Sequence, residues 1–314
     1  MTIAAGEDHC REGVVTVTVT FNPDPALLEA QLSALPQECL KIIVDNASEL
    51  QSAERTAALA AAVPNTKLLR NSRNIGLAAA LNGGVSAARR DAPEARFVLL
   101  LDQDSEPRAG SIAALVAAFG SLESMGYRVG CVGPLLLDAA TGRQHGFHQA
   151  TRWRWHRLFP APYTGRPVAC TNLNGSGTLV PIGLFLELGG LDEELFIDHV
   201  DTAWSFRVLA AGYSLWGIPQ AVFTHRMGSS SLQFWLCGWR VWPVRPAARH
   251  YYLFRNAVLL MRRRTVPRVW KFWAVGKLAL TALIHGLFDP NRREQLRQMR
   301  RGLADGLHTQ DARR

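Results

Sequence analysis

The sequence predicts an α/β fold built on a parallel sheet, and three observations lead to this prediction. Apolar runs of the length typical of buried strands alternate with helical patterns through the first hundred residues. Each run ends in polar residues, which should line one edge of the sheet. The chain has 314 residues, 48% of them hydrophobic, which allows either one large α/β domain or one domain plus an appendage. Strand–helix–strand units of this kind connect parallel strands by right-handed crossovers.

The first part of the chain predicts four strands and four helices. β-branched residues alternate over the first strand, and the prolines that follow it end the strand and open a helix. The predicted order is strand 14–20, helix 26–35, strand 40–45, helix 53–62, strand 66–70, helix 76–90, a strand from Phe97 to Asp102 and a helix that begins near Gly110.

The second part of the chain is less regular. Residues 141–166 are rich in Arg, Trp, His and Pro, and they predict a long loop or insertion. The remaining predicted elements are strand 129–137, strand 178–180, helix 182–188 and helix 196–211.

Positive charge is concentrated in the last quarter of the chain. The net charge is +9, and residues 240–314 hold 17 Lys and Arg against 4 Asp and Glu. Aromatic residues lie among these arginines, a combination typical of segments at a membrane interface. These aromatic residues are Trp235, Trp239, Trp242, Tyr251, Tyr252, Phe254, Trp270, Phe272 and Trp273.

Residues 269–288 leave three interpretations open. The segment is about long enough to span a bilayer, but interior lysines favour a helix that lies in the membrane interface. A helix packed on the main domain is the second interpretation, and a membrane span is the third. The amino terminus has no apolar signal segment, and the five scattered cysteines contain no C-x-x-C pair, which fits a reducing cytosol.

Two carboxylates, Asp102 and Asp104, stand at the end of a predicted buried strand with Gln103 between them. Buried acids are costly unless something positive holds them. A divalent cation carrying a phosphorylated ligand is the simplest explanation, since hard oxygen ligands suit Mg²⁺ or Mn²⁺. The alternative is a solvated strand end followed by a turn.

Polar residues after the neighbouring strands could bind a nucleoside. Thr20 and Asn22 end the first predicted strand, and Asp45 ends the second. A carboxylate accepts the imide N–H of a pyrimidine, although an ordinary strand-end acid explains Asp45 equally well. The helix that begins at Gly76 could meet a phosphate or ribose together with Arg73.

Two acids and a histidine mark the second part of the chain. Asp198 and Asp201 are three residues apart at the start of predicted helix 196–211, so they should share one face near its positive end. One of them could be a general base, and N-capping is the alternative. His225 becomes a candidate metal ligand in the company of the acid pair, whereas a lone histidine is more often structural.

As an ordered set, these segments resemble family 2 glycosyltransferases of the GT-A fold. The resemblance covers about residues 14–230 and 249–256, and it rests on segments 21–23, 44–48, 74–82, 102–104, 198–201 and 225–229. Segments 100–105 and 196–202 are most similar to the rhamnosyltransferase branch. Within that branch, residues 191–202 are particularly similar to the enzymes that add the second rhamnose of rhamnolipids.

The resemblance implies roles for residues on the donor side. Asp45 would read the thymine or uracil ring, and Asp102 would face the ribose or a metal-bound water. Asp104 and His225 would hold Mg²⁺ or Mn²⁺ on the diphosphate. Other side chains would support the nucleotide sugar, namely Thr20, Asn22, Arg73, Asn74 and Gln103.

Asp201 is implied as the catalytic base, with Asp198 as the second candidate. Family members often carry a Glu-Asp pair at this position and another acid two residues later. Here Val200 and Ala203 occupy those positions, which leaves the choice between the two acids open. The segment Asn174, Gly175 and Ser176 would let the backbone approach the acceptor, and a plain turn is its alternative.

The resemblance implies three regions and an inverting, metal-dependent rhamnosyltransferase. They are an N-terminal tail (1–13), a GT-A catalytic domain (14–239) and a basic helical membrane-associating region (240–314). The catalytic domain would divide into a nucleotide-binding part (about 14–105) and an acceptor part (about 106–239). Mono-rhamnolipid is the first expected acceptor, dTDP-rhamnose the donor and a polyprenyl-linked surface polysaccharide the alternative acceptor. The expected location is cytoplasmic, on the inner face of the bacterial inner membrane.

Two functions from other classes compete with this prediction. A nucleotidyltransferase should have a Gly-rich, basic loop after the first strand, and residues 21–25 are not such a loop. A nucleic-acid-binding protein would explain the basic tail, but its groove should not be lined by acids at strand and helix ends.

Overall fold

The computed structural model describes residues 13–225, 231–235, 239–243 and 245–309. Its strands are β1 (Val14–Thr20), β2 (Lys41–Asp45), β3 (Thr66–Arg70), β4 (Phe97–Asp102), β5 (Ser105–Pro107), β6 (Val129–Asp138), β7 (Phe147–Ala150), β8 (Trp155–Leu158), β9 (Val168–Cys170), β10 (Thr178–Pro181), β11 (Ser214–His225), β12 (Ser231–Trp235) and β13 (Trp239–Pro243). Its helices are α1 (Pro25–Ala34), α2 (Leu50–Ala62), α3 (Leu77–Asp91), α4 (Ser111–Ser124), α5 (Ile182–Glu187), α6 (Val200–Ala210), α7 (Ala247–Arg262), α8 (Arg268–Phe288) and α9 (Arg292–His308).

The central sheet is mixed, and its strand order is β3-β2-β1-β4-β10-β6-β11-β5, with β9 added beside β11. Strands β1 to β4 are parallel, as the alternation of strands and helices predicted. Strand β10 then runs antiparallel to both β4 and β6. The predicted α/β fold is therefore confirmed, and its parallel part is the amino-terminal half.

Each face of the sheet has its own hydrophobic core because successive side chains of a strand point to opposite faces. In β4, Val98 and Leu100 contribute to one core, which helices α3, α5 and α6 cover. Phe97, Leu99 and Leu101 contribute to the other, which α1 and α4 cover. All five side chains are at most 2% exposed, as expected for a strand buried on both faces.

Two sequence predictions need correction in the second part of the chain, and the expectation of reduced cysteines needs correction in the first part. The predicted loop 141–166 contains an antiparallel pair, β7 with β8. Predicted helix 196–211 begins at Val200 instead, because Phe196, Asp198 and His199 all have positive φ angles. Such angles cannot continue a right-handed helix. Cys39 is disulfide-bonded, whereas Cys131 and Cys170 are buried free thiols.

Helices α7, α8 and α9 form a layer with a small core of its own. Gly302 of α9 lies so close to α7 that a Cβ there would approach the Tyr251 carbonyl oxygen to 2.3 Å. The layer is joined to the main domain by a buried ion pair between Arg263 and Asp192, with a 2.6 Å contact. Trp270 at the start of α8 is 1% exposed and belongs to the main core.

Helix α8 packs one face on the protein and exposes the other. Its buried residues include Ala274, Leu278 and Ile284. None of the helices in the described part of the chain is long and apolar enough to cross a membrane. The tail 1–12, residues 310–314 and the side chains of Trp235, Trp239 and Trp242 lie outside the described residues.

Candidate active site

The candidate site lies at the carboxyl edge of the sheet, where β4 ends in Asp102 and β5 begins at Ser105. Gln31 of helix α1 fixes the turn between them. Its amide nitrogen donates to the carbonyl oxygens of Asp102 and Ser105, both at 2.6 Å, and its oxygen accepts from the Thr18 hydroxyl at 2.9 Å. A fully buried amide with three hydrogen bonds holds Asp102, Gln103 and Asp104 in one conformation.

Strand pairing brings His225 to this turn. His225 ends β11 and lies opposite Ser105 in the antiparallel β5–β11 register. Its Nδ1 lies 2.8 Å from the Ser105 hydroxyl and 3.4 Å from Asp104 Oδ1. The sheet thus joins residues 120 positions apart in sequence.

Asp102, Asp104 and His225 fit a divalent cation. Within the described residues, each offers one ligand atom, and these atoms all lie within 4.8 Å of one another. Two carboxylates and an imidazole are suitable ligands for Mn²⁺ or Mg²⁺. All three side chains are partly accessible, so a phosphorylated ligand could complete the coordination.

The carboxylate of Asp45 already has protein partners. It is buried, and it accepts from the Ser48 hydroxyl at 2.5 Å and the Thr20 hydroxyl at 3.3 Å. Asn22 ties the same loop to β1, since its oxygen accepts from the Glu49 backbone N–H at 2.8 Å. Asp45, Thr20 and Asn22 therefore meet at the ends of β1 and β2, as the sequence predicted.

The remaining donor-side residues line the same edge. Gln103 accepts from the Phe21 backbone N–H at 2.8 Å, which links the β4 and β1 ends. Asn74 accepts from the Asn46 amide at 2.9 Å and from the Gly76 N–H at 3.0 Å. Arg73 is exposed beside Asn74, just before helix α3.

Asp201 lies in the first turn of α6 and faces the turn that holds Asn174, Gly175 and Ser176. Burial raises the pKa of Asp201 to about 6, and the negative charge of Asp102 adds to this effect. The backbone N–H groups of Thr202 and Gly175 act in the opposite direction. Asp201 is therefore a carboxylate whose pKa lies near neutrality, which suits a general base.

Ser176 connects this turn to the strand-end acids. Its hydroxyl accepts from the Asp102 backbone N–H at 3.3 Å and also forms a close hydrogen bond with the Ser105 hydroxyl. The structure thus brings Asp201, the 174–176 turn and the Asp102–Asp104 pair to one place.

Asp198 does not share a helix face with Asp201, so that prediction is wrong. It precedes α6, and it accepts from Arg245 at 2.7 Å and from Arg249 at 2.8 Å. Burial disfavours its charged form, but Arg249 and Arg245 outweigh this effect and hold the pKa of Asp198 below its ordinary value. A carboxylate held in this way is a weak proton acceptor.

Sequence reasoning missed the residues that position these groups. Arg245 and Arg249 bind Asp198, and Asn256 donates to the carbonyl oxygens of Leu195, Ile197 and Asp198 at 2.7 to 3.0 Å. Arg249 and Asn256 belong to segment 249–256, which the family resemblance covers. That resemblance was the signal that could have identified them. Nothing in the local pattern around Gln31 indicated its contact with the Asp102 turn.

Known proteins are similar to this chain in sequence. Residues 16–158 match glycosyl transferase family 2. A protein described as dTDP-rhamnosyl transferase RfbF from Shigella flexneri is 29% identical over 255 residues, which covers 81% of each chain. An N-acetylglucosaminyl-diphospho-decaprenol L-rhamnosyltransferase from Mycobacterium tuberculosis is 28% identical over 245 residues, or 68% of this chain and 76% of the relative.

Solved structures of glycosyltransferases share the fold. A Pyrobaculum calidifontis mannosyltransferase solved with GDP-Man and Mn²⁺ superposes with a TM-score of 0.54 at 16% identity, covering 95% of this chain and 88% of that one. GalNAc-T7, solved with UDP, GalNAc and Mn²⁺, superposes with a TM-score of 0.54 at 17% identity. That match covers 78% of this chain and half of the other. The expected GT-A fold is confirmed.

Proposed function

We propose that this chain, which belongs to glycosyl transferase family 2, moves L-rhamnose from dTDP-rhamnose to a hydroxyl of a lipid-linked acceptor. The convergence of Asp102, Asp104 and His225 with Asp201 at one sheet edge carries the proposal. A cation site for a diphosphate and a base for a hydroxyl are the two parts that such a transfer needs. The name of the Shigella flexneri relative supports dTDP-rhamnose as the donor, and the name of the mycobacterial relative supports L-rhamnose as the transferred sugar.

On the donor side, Asp45 is assigned to the pyrimidine ring and Asp102 to the ribose or a metal-bound water. Asp104 and His225 would hold Mg²⁺ or Mn²⁺, whose positive charge would stabilise the departing diphosphate. Gln31 positions the whole turn through its two hydrogen bonds at 2.6 Å. Arg73, Asn74 and Gln103 would border the nucleotide, and Thr20 and Asn22 would support Asp45.

Asp201 is assigned as the general base of an inverting displacement. Its carboxylate takes the proton of the acceptor hydroxyl while the hydroxyl oxygen forms a bond to the anomeric carbon. The bond from that carbon to the diphosphate breaks on the opposite face, and dTDP leaves with the bonding electrons. One displacement needs one base, and the arginine-bound Asp198 is assigned a positioning role instead.

The Asn174–Ser176 turn would contact the acceptor, because it lies between Asp201 and Asp102. We propose two candidate acceptors. Mono-rhamnolipid follows from the sequence resemblance of residues 191–202, and the name of the mycobacterial relative supports a sugar linked through diphosphate to a polyprenol.

We propose a position at the cytoplasmic face of the membrane, and the exposed apolar side chains of helix α8 support contact with a membrane surface. Six large apolar side chains along this helix are exposed, with exposed fractions from 43% to 79%. They are Phe272, Val275, Leu280, Leu283, Leu287 and Phe288. Helices α8 and α9 also carry basic residues, which would attract anionic lipids.

The test is to incubate the protein with dTDP-rhamnose, Mn²⁺ or Mg²⁺, and each acceptor in turn, followed by mass analysis of the products. A mass gain of one rhamnose on either acceptor supports the proposal and identifies the acceptor. Transfer from another nucleotide sugar, with none from dTDP-rhamnose, would overturn the donor assignment. Sedimentation with anionic vesicles tests the membrane position separately.

A further inference from the structure

We infer that Arg157 and Lys277 bind the anionic group in the lipid part of the acceptor. This inference rests on the proposed function and deepens it, because it assigns the residues that distinguish a charged acceptor from a neutral one. The anion is a carboxylate in one acceptor and a diphosphate in the other. Both offer oxygen atoms that guanidinium and ammonium groups bind well.

The site begins next to the Asn174–Ser176 turn. The Asn174 amide donates to His145 Nδ1 at 2.9 Å, and the His145 and His148 rings have centroids 5.8 Å apart. Arg157 Nε donates to His148 Nε2 at 2.9 Å. A continuous set of contacts therefore leads from the assigned base to Arg157 on strand β8.

Helix α8 closes the other side of this site. Trp155 of β8 stacks on His148 at 5.4 Å and contacts Trp273 of α8, with ring centroids 6.0 Å apart. Lys277, one turn further along α8, places its Nζ 5.4 Å from the centre of the Trp273 ring. The contact between the two tryptophans thus links strand β8, which carries Arg157, to helix α8, which carries Lys277.

Positive charges accumulate here. Burial lowers the pKa of Lys277, and the charges of Arg157 and Arg245 lower it further. Burial also lowers the pKa values of His145 to about 4 and of His148 to about 3, so both rings are neutral. Among the described residues no carboxylate shifts the pKa of Arg157, and an anionic ligand would offset the repulsion between Arg157 and Lys277.

Buried polar atoms in the same region also lack partners. The Asn172 side-chain oxygen and the Trp155 indole nitrogen have no hydrogen-bond partner in the described structure. Asn172 is 5% exposed, and it lines a cavity together with His148, Asn174 and Ser176. Buried polar groups are normally satisfied, so these atoms indicate a bound water or a polar group of a ligand beside the Asn174–Ser176 turn.

Helix α8 also explains how a lipid would reach this position. Lys277 lies on the same helix as the outward apolar face that begins at Phe272. A lipid tail in the membrane would therefore bring its anionic group to Lys277 and Arg157, with the acceptor sugar directed to Asp201.

The test compares charged acceptors with neutral counterparts in Arg157→Gln, Lys277→Gln and the double variant. The charged acceptors are mono-rhamnolipid and a short-chain prenyl diphosphate-linked N-acetylglucosamine. The neutral ones are mono-rhamnolipid methyl ester and an octyl glycoside of the same sugar. Arg154→Gln is the matched control, because Arg154 is exposed in the turn of the same hairpin.

We expect each single variant to raise KM for a charged acceptor about tenfold, the loss of one charged hydrogen bond. The KM for dTDP-rhamnose and the KM for neutral acceptors should stay unchanged, as should every value for Arg154→Gln. The natural anion is identified by the charged acceptor whose KM rises in the variants relative to its neutral counterpart. A rise for mono-rhamnolipid indicates a carboxylate, and a rise for the prenyl diphosphate-linked sugar indicates a diphosphate.

Equal effects on charged and neutral acceptors would overturn the inference while leaving the proposed function intact. Absence of rhamnosyl transfer to every acceptor would instead contradict the proposed function. Calorimetric binding of the same acceptors to wild type and double variant, without donor, tests the anion site even in that case. Equal affinity of the two proteins for the charged acceptors would contradict it.

Discussion

The proposed donor side and the proposed acceptor side of the site carry opposite charges. On the donor side, Asp102 and Asp104 lie together beside one histidine, an arrangement that suits a cation. On the acceptor side, Arg245 and Arg249 both donate to the carboxylate of Asp198. The charge of Arg157 also lowers the pKa of Lys277, which shows that these two cations are close enough to repel each other. This arrangement suits an anion.

Asp201 lies between the two sides, and the contrast with Asp198 explains its chemistry. Both carboxylates lose hydration by burial, but two arginines compensate for that loss at Asp198 alone. The pKa of Asp201 rises in consequence, whereas that of Asp198 falls. The pKa values of two acids three positions apart therefore shift in opposite directions because of residues about fifty positions away.

The largest effect is expected for Asp201→Asn, which removes the assigned base and keeps the shape of the side chain. Transfer should fall about 1,000-fold, within the range for general bases, while the affinity for dTDP-rhamnose is retained. Product formation and donor binding by calorimetry measure the two quantities. Glu123→Gln, on the distant helix α4, is the control, and near wild-type transfer by Asp201→Asn would refute the assignment.

Asp104→Asn should weaken Mn²⁺ binding at least about tenfold, because it replaces a charged ligand by a neutral one. Asp102→Asn should have a smaller effect on the metal and a larger one on the affinity for dTDP. Electron paramagnetic resonance titration of Mn²⁺, with and without dTDP, separates these effects. Equal Mn²⁺ affinity in wild type and Asp104→Asn would remove Asp104 from the ligand set.

The transfer rate should depend on pH through Asp201, since only its ionised form accepts a proton. With a pKa of about 6, kcat should fall about tenfold per pH unit below pH 6 and level off above it. The profile of kcat against pH from 4.5 to 8.5 measures this. An acidic limb centred near pH 4 would mean that Asp201 is not desolvated in the complex.

The same pKa predicts the sign of a stability effect. A carboxyl whose folded-state pKa is raised stabilises the fold below its unfolded pKa, and this contribution is lost as pH rises through about 6. Asp201→Asn should therefore have a thermal midpoint at pH 7.5 that equals or exceeds that of wild type. A large decrease would show that the carboxylate is a structural group.

Asp198→Asn should reduce transfer by about tenfold, the scale of a positioning residue. It would leave Arg245 and Arg249 without their shared carboxylate partner. Rates for Asp198→Asn and Asp201→Asn, measured side by side, compare the two acids. Equal losses of transfer rate in the two variants would contradict the assignment of Asp201 as the base and Asp198 as a positioning residue.

The smallest effect on catalysis is expected for Gly302→Ala. Its Cβ would approach the Tyr251 carbonyl oxygen to 2.3 Å, which should separate α7 from α9 and cost about 1–3 kcal/mol. Gly276→Ala on α8 is the matched control, because no atom lies within 4 Å of its Cβ. Thermal unfolding should show a lower midpoint for the first variant only, and equal midpoints would contradict the close packing of this layer.

The sequence alone determined the sheet and its polar edge. Buried strands such as β4 have a local apolar pattern, and the carboxyl ends of parallel strands meet at one edge, so Asp45 and Asp102 were predictable there. His225 could be connected with them through the family resemblance, and the β5–β11 register placed it beside Asp104.

Only the tertiary structure decided what depends on distant contacts. Positive φ angles at Phe196, Asp198 and His199 remove Asp198 from the helix that its spacing predicted. The opposite pKa shifts of the two acids come from burial and from arginines of a later segment. The approach of Lys277 to the β7–β8 hairpin likewise depends on how α8 packs, and no local pattern encodes that packing.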